Sequence, residues 1–126
     1  MKNTQMIDKK YTYALVGASA DKTKYGYKIL NDVNDAGFKI IPVNLNEKKI
    51  LDLKVYRSLT DIKETIDVVI FVVPPTITEH ILKEVHLLKI KNVWLQPGSE
   101  SKNAIDYCSK NKITCMHDIC IMIEKD

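Results

Sequence analysis

Residues Ala14 to Gly26 read Ala-Leu-Val-Gly-Ala-Ser-Ala-Asp-Lys-Thr-Lys-Tyr-Gly. An apolar run ends in a glycine, a small residue and a serine, and a helical pattern follows from Tyr25 to Ala36. Strand, turn and helix in that order form the opening unit of an α/β fold. Such a turn aims backbone N–H groups and a helix N-terminus at one spot, and that spot attracts phosphate.

The rest of the chain repeats the alternation. Tyr13 to Val16 fits a buried parallel strand. Ile29, Leu30, Val33 and Ala36 share one helical face, and Gly37 supplies the left-handed conformation that ends a helix. Phe38 to Val43 is the second strand. Glu47 to Lys54 reads as charged and irregular, and Val55 and Tyr56 as a short third strand at an edge. Asp61 to Glu64 predicts one or two helical turns. Val68 to Val73, apolar on both faces, predicts a central strand that Pro74-Pro75 stops. Thr76 and Glu79 predict a capping box. Ile77, Ile81, Val85 and Leu88 then recur at helical spacing through Lys89. Val93 to Leu95 is a strand that places Trp94 in the core, and Gln96 to Ser99 is a turn. Ser101 is positioned to cap a helix from Lys102 to Asn111, and Ile113 to Met116 is the last strand.

Parallel strands need crossover connections, and these are right-handed. The expected fold is therefore α/β: a three-layer open parallel sheet with helices on both faces, Rossmann-like. In such sheets ligands bind beyond the carboxyl ends of the strands, where the strand order switches direction. Each unusual turn follows a strand: Gly17-Ala18-Ser19, Pro42-Val43-Asn44, Pro74-Pro75-Thr76 and Gln96-Pro97-Gly98. Together they describe the rim of a pocket.

A length of 126 residues suits one domain, read here as residues 11–126 after a polar segment, residues 1–10. The net charge of +3 is spread along the chain, which argues against nucleic acid but suits a small polyphosphate. No apolar stretch approaches the roughly 18 residues that a membrane span needs, and the first ten residues lack the apolar centre of a signal peptide. The three cysteines form no disulfide pattern, so a reducing cytoplasm is the expected location. Cys115, His117 and Cys120 lack paired metal-ligand spacing and a fourth ligand. His80 and His86 are expected at the surface.

The dinucleotide fingerprint needs three closely spaced glycines and an acidic residue about 20 positions on. Here Gly17 is followed by Ser19, and the next glycine is Gly26. The second strand ends in Asn44, where a carboxylate would be expected to hold the NAD ribose. Lys22 and Lys24 occupy the lengthened loop and can meet phosphate beside the helix N-terminus.

Six segments in order resemble one family. They are Val16-Gly17-Ala18-Ser19, Lys24-Tyr25-Gly26-Tyr27, Ile41-Pro42-Val43-Asn44, Val73-Pro74-Pro75, Trp94-Leu95-Gln96-Pro97-Gly98 and Asp118-Ile119-Cys120-Ile121-Met122. The chain resembles the small stand-alone CoA-binding domain family, which is similar to the nucleotide-binding part of the succinyl-CoA synthetase alpha subunit. It departs from the family at Leu45, where proline is common, and at Asp52, where glycine is common. The resemblance implies that coenzyme A, or an acyl-CoA, binds through its nucleotide end. Gly17, Ala18, Ser19 and Lys24 would meet the phosphates, with Lys22 and Tyr25 in the same loop. Pro42, Val43 and Asn44 would lie along the adenosine, and Val73, Pro74 and Pro75 would wall the adenine. Gln96, Pro97 and Gly98 would complete the rim. Cys120 follows the last strand, on the ligand edge if that strand is parallel.

Each residue also has a purely structural reading. Gly17 can simply turn the chain, the lysines can be solvated, Pro74-Pro75 can stop a strand, and Cys120 can be a buried, inert thiol. No nucleophile, metal set or carboxylate pair stands out as a motif, so the leading expectation is a binding module without chemistry of its own. The alternatives are a small component of an acyl-CoA-handling enzyme, completed by a protein partner not yet identified, and an NAD(P)-binding module.

Overall fold

A computed structural model describes residues 3–126. Strand β1 (Thr12–Val16) leads to helix α1 (Tyr25–Asp35) and strand β2 (Lys39–Val43). A small hairpin follows, made of β3 (Lys49–Ile50) and β4 (Leu53–Lys54). The chain continues through β5 (Val68–Phe71), α2 (Pro75–Leu87) and β6 (Asn92–Leu95). It closes with α3 (Lys102–Lys110), β7 (Thr114–Met116) and a short α4 (Ile121–Glu124).

The sheet order is β2-β1-β5-β6-β7, and every neighbouring pair is parallel. From β1 the chain moves to β2 on one side. It then returns across β1 to β5 on the other. The switch in direction falls between β1 and β5, the place where such sheets open a crevice.

Side-chain alternation builds a core on each face. Ala14, Val16, Val69 and Phe71 face α2 and α3 on one side. Tyr13, Leu15, Val68 and Ile70 face α1 and α4 on the other. Every residue of β5 is buried, as expected of a central parallel strand covered on both faces. Trp94 is fully buried, and its indole N–H donates to the Ile119 carbonyl at 2.8 Å.

Several local expectations change. The Glu47–Lys54 segment, read as irregular, contains the β3–β4 hairpin, whose turn puts Leu51 at φ 52° and Asp52 at φ 62°. Ile50 anchors it by burial in the α1-side core. Val55 and Tyr56 form no strand of their own; Tyr56 only bridges to Val43. The helical turn expected at Asp61 to Glu64 comes earlier, as a 3-10 turn at Leu59–Asp61.

The capping box is absent. Helix α2 starts at Pro75, with Pro74 as its N-cap and no side-chain cap. Proline suits the first helical position because the N–H it lacks would have no helical partner there. The Glu79 carboxylate instead accepts from the Ser101 hydroxyl at 2.7 Å, and Ser101 accepts the Ala104 N–H as the expected cap of α3. The buried stripe of α2 is Thr78, Leu82 and Val85; it shares Val85 with the repeat seen in the sequence and leaves Ile77 43% exposed.

Of the polar start, residues 1 and 2 lie outside the described residues. Met6, in a 3-10 turn at Asn3–Met6, is fully buried. The Tyr13 hydroxyl donates to the Met6 carbonyl at 2.6 Å and accepts the Asp8 N–H at 3.1 Å. No helix among the described residues is long and apolar enough to cross a membrane.

Candidate functional site

Register brings the strand ends together. Val16 pairs with Val43 and with Phe71, Phe71 with Leu95, and Trp94 with Met116. The turns that begin at Gly17, Asn44, Val72 and Gln96 therefore leave one edge of the sheet.

Gly17 sits at φ +101°, a conformation side chains resist. A Cβ there would overlap the Val72 carbonyl and come within 2.8 Å of Val73 Cγ1. Gly26 makes a second close approach, since a Cβ on it would overlap the Gly17 carbonyl oxygen. The first turn of α1 thus rests on the β1 turn. The last glycine of a dinucleotide fingerprint serves the same close helix–strand packing; here it is reached across a longer loop.

Asp21 organises that loop. It accepts the Thr23 N–H at 2.9 Å and the Thr23 hydroxyl at 2.7 Å, and these bonds hold its carboxyl below the usual range. Lys22, Lys24 and Tyr25 are exposed around it.

Asn44 explains why an amide stands where a carboxylate was expected. Its Nδ2 donates to the Ala18 carbonyl at 2.7 Å, while Oδ1 accepts the N–H groups of Asn46 and Glu47 at 2.7 and 3.0 Å. One side chain therefore clamps the β1 turn to the loop after β2. A carboxylate could not donate to Ala18 and would face its carbonyl oxygen instead.

Beside this clamp lies a cavity of about 490 Å³. Val16, Gly17 and Val43 line it from the strand ends. Val73, Ile77 and Ile81 form a wall from the β5 turn and α2. Asn44, Leu45 and Asn46 continue the lining from the loop after β2. Arg57, Ser58 and Leu59 follow the Tyr56 bridge, and His80 and Glu84 complete the α2 side. Glu84 is held in place by accepting the Thr60 N–H at 2.9 Å.

Of the residues singled out in the sequence, Gly17, Val43, Asn44 and Val73 meet at this cavity. Ala18 is buried and Ser19 half-buried beside it, while Pro74 and Pro75 carry the chain from Val73 into α2. Pro42 is buried, one residue out of phase with Val43 along the strand. Lys22 and Lys24, in the loop before α1, and Tyr25, the first residue of that helix, are not in the lining.

Gln96, Pro97, Gly98 and Cys120 stand at the ends of β6 and β7, also outside the lining. Gln96 is buried; its Oε1 accepts the Ile121 N–H at 2.9 Å, and its Nε2 donates to Cys120 Sγ at 3.2 Å. Ser99 Oγ accepts the Val73 N–H at 3.0 Å.

Sequence reasoning missed the Leu45–Asn46 and Arg57–Leu59 walls, together with His80 and Glu84 as lining residues. Ile77 and Ile81 stand in the sequence only as members of the helical repeat of α2. The one available signal was that Arg57 is the sole arginine of the chain.

The parallel five-stranded sheet, flanked by helices and open at its switch point, is a Rossmann-like α/β fold. The chain belongs to the CoA binding domain family, whose model matches residues 11–126. It is 33% identical over 96 residues to the alpha subunit of acetate–CoA ligase (ADP-forming) II of Pyrococcus furiosus, covering 71% of this chain and 21% of that protein. It is 35% identical over 71 residues to the acetate–CoA ligase (ADP-forming) of Methanocaldococcus jannaschii, covering 56% of this chain and 10% of the ligase. The chain thus spans about a fifth or less of the length of these relatives. A solved conserved hypothetical protein from Pyrococcus furiosus superposes with a TM-score of 0.88 at 39% identity, covering 90% of this chain and 98% of that one.

Proposed function

We propose that this chain binds coenzyme A, or an acyl-CoA, by its nucleotide end at the carboxyl edge of the sheet. The observation that carries the reading is the cavity at the β1–β5 switch point, with Gly17 in its lining, in a chain of the CoA binding domain family. Its volume of about 490 Å³ falls within the range of small-ligand pockets, roughly 300–1,000 Å³. Val73, Ile77 and Ile81 offer an apolar wall for a flat base, and Pro74 and Pro75 follow Val73 in the chain. Val43 and Asn44 lie along the adenosine. The phosphates face Gly17, Ala18, Ser19 and the start of α1, with Lys22, Lys24 and Tyr25 alongside. In this reading residues 11–126 form one ligand-binding domain that works in the cytoplasm.

Calorimetry with CoA and NAD tests this. CoA is expected to bind at least about tenfold more tightly, a difference of about 1.4 kcal/mol. Equal or tighter NAD binding overturns the reading. The similarity to part of acetate–CoA ligases favours a second reading, a component completed by a partner chain. That reading requires acyl-CoA formation to appear only when a second chain is added to this one.

A further inference from the structure

Arg57 is the sole arginine of the chain, and it lines the cavity. Its position is fixed by the main chain on either side of Val43. The Tyr56 N–H donates to the Pro42 carbonyl at 3.1 Å, and the Asn44 N–H donates to the Tyr56 carbonyl at 2.9 Å. Arg57 therefore sits against the end of β2. In parallel sheets of this kind the ribose of a bound nucleotide lies at that end, where a carboxylate recognises a free 2′-hydroxyl and a nearby arginine recognises a ribose phosphate.

Asn44 stands at the carboxylate's place, but its amide is committed to Ala18, Asn46 and Glu47. It brings no charge to the ribose. Arg57, by contrast, makes no hydrogen bond or ion pair among the described residues. The one acidic group lining the cavity, Glu84, is bonded to the Thr60 N–H. Lys22 and Lys24 lie outside the lining, so among the described residues Arg57 is its one permanent cation. A guanidinium presents five donors in a planar fork that matches phosphate oxygens two at a time.

We infer that Arg57 binds the phosphate on the nucleotide ribose, the 3′-phosphate of CoA, and makes the site select a phosphorylated ribose. This rests on the reading of the cavity as a CoA site. It adds that specificity comes from the segment after β4, outside every turn the sequence marked as ligand rim.

The test is calorimetry with CoA and with dephospho-CoA, which differ only in that phosphate. Wild type, Arg57→Ala and Arg57→Lys are measured at low and high salt. Wild type is expected to prefer CoA by about 10- to 100-fold, the range for hydrogen bonds to a charged group. Arg57→Ala removes the preference while leaving dephospho-CoA affinity unchanged. Arg57→Lys restores part of it, because a point charge replaces the fork, and the preference shrinks as salt rises.

If wild type binds both ligands equally, the inference fails while the CoA reading stands. A preference retained in Arg57→Ala also overturns it, by placing the phosphate elsewhere. If wild type binds neither ligand, the reading of the cavity falls, and the inference with it. Circular dichroism of both variants confirms that the fold is intact, as expected for an exposed side chain without partners.

Discussion

The carboxyl edge of the sheet has an open half and a closed half. Beyond β1, β2 and β5 the chain ends stand apart and leave a cavity. Beyond β6 and β7 the same kind of turn is filled by protein: Gln96 bonds Ile121 and Cys120, Trp94 bonds Ile119, and Ser99 ties down Val73. A turn after a parallel strand marks a place where ligand can bind. Whether it does depends on which side chains have already claimed the space. At the open half the claimed groups are main-chain ones held by Asn44, and the exposed side chains of Ile77 and Arg57 remain uncommitted, while Ile81 packs partly against the core.

The largest effect is expected within the open half, at Gly17. Gly17→Val demands a left-handed valine whose Cβ overlaps the Val72 carbonyl. Strain and overpacking together should cost about 3 kcal/mol or more. Urea denaturation should show loss of the fold and not merely of binding. A variant as stable as wild type would mean that the β1 turn can rebuild itself.

Gln96→Leu sharpens the contrast from the closed side. It leaves the Ile121 N–H buried without its acceptor, a loss of about 2 kcal/mol in denaturation experiments. CoA affinity should stay within about twofold, because no contact is shared with the cavity. A collapse of affinity with unchanged stability would show that the halves work as one.

Alkaline titration probes the opposite edge as a control. Burial pushes the Tyr13 hydroxyl up to about 12 from its ordinary 10. The unfolded chain then loses this proton first, so the contribution is fully present below pH 10 and is lost as pH rises toward about 12. Tyr13→Phe should flatten that decline, at the cost of about 1 kcal/mol at neutral pH for the bond to Met6. An equally steep decline in the variant would assign it to other groups.

The smallest stability change is expected in the open half. Ile77→Asp alters a 43% exposed residue and should move stability by no more than about 0.5 kcal/mol. It places a carboxylate in the cavity wall and should weaken CoA about fivefold, near 1 kcal/mol. Unchanged affinity, measured by calorimetry, would remove α2 from the binding wall.

The layers of the fold were legible because Val68 to Phe71 is apolar at every position and each strand ends in a turn residue. The β3–β4 hairpin was not, because its strands are two residues long and Leu51 and Asp52 give no glycine or asparagine turn signal. The Thr76–Glu79 pattern misled, since Pro75 starts the helix earlier and Ser101 takes the carboxylate. At the site, Gly17 and Asn44 were visible because strand-end turns follow from topology. Arg57 was not, because an isolated cation in an aperiodic stretch shows its meaning only once Tyr56 is seen beside Val43. The helical repeat of Ile77 and Ile81 reads the same whether the wall it forms meets protein or an opening.

The burial of Trp94 has an optical consequence. It is the only tryptophan, it is fully enclosed, and it belongs to the closed half. Its emission should be that of an indole screened from solvent, and it should report the integrity of the sheet while staying blind to the cavity. Ligand added to the folded protein should leave the spectrum where it was. A colour change on titration would be a direct sign that the β6–β7 side had loosened.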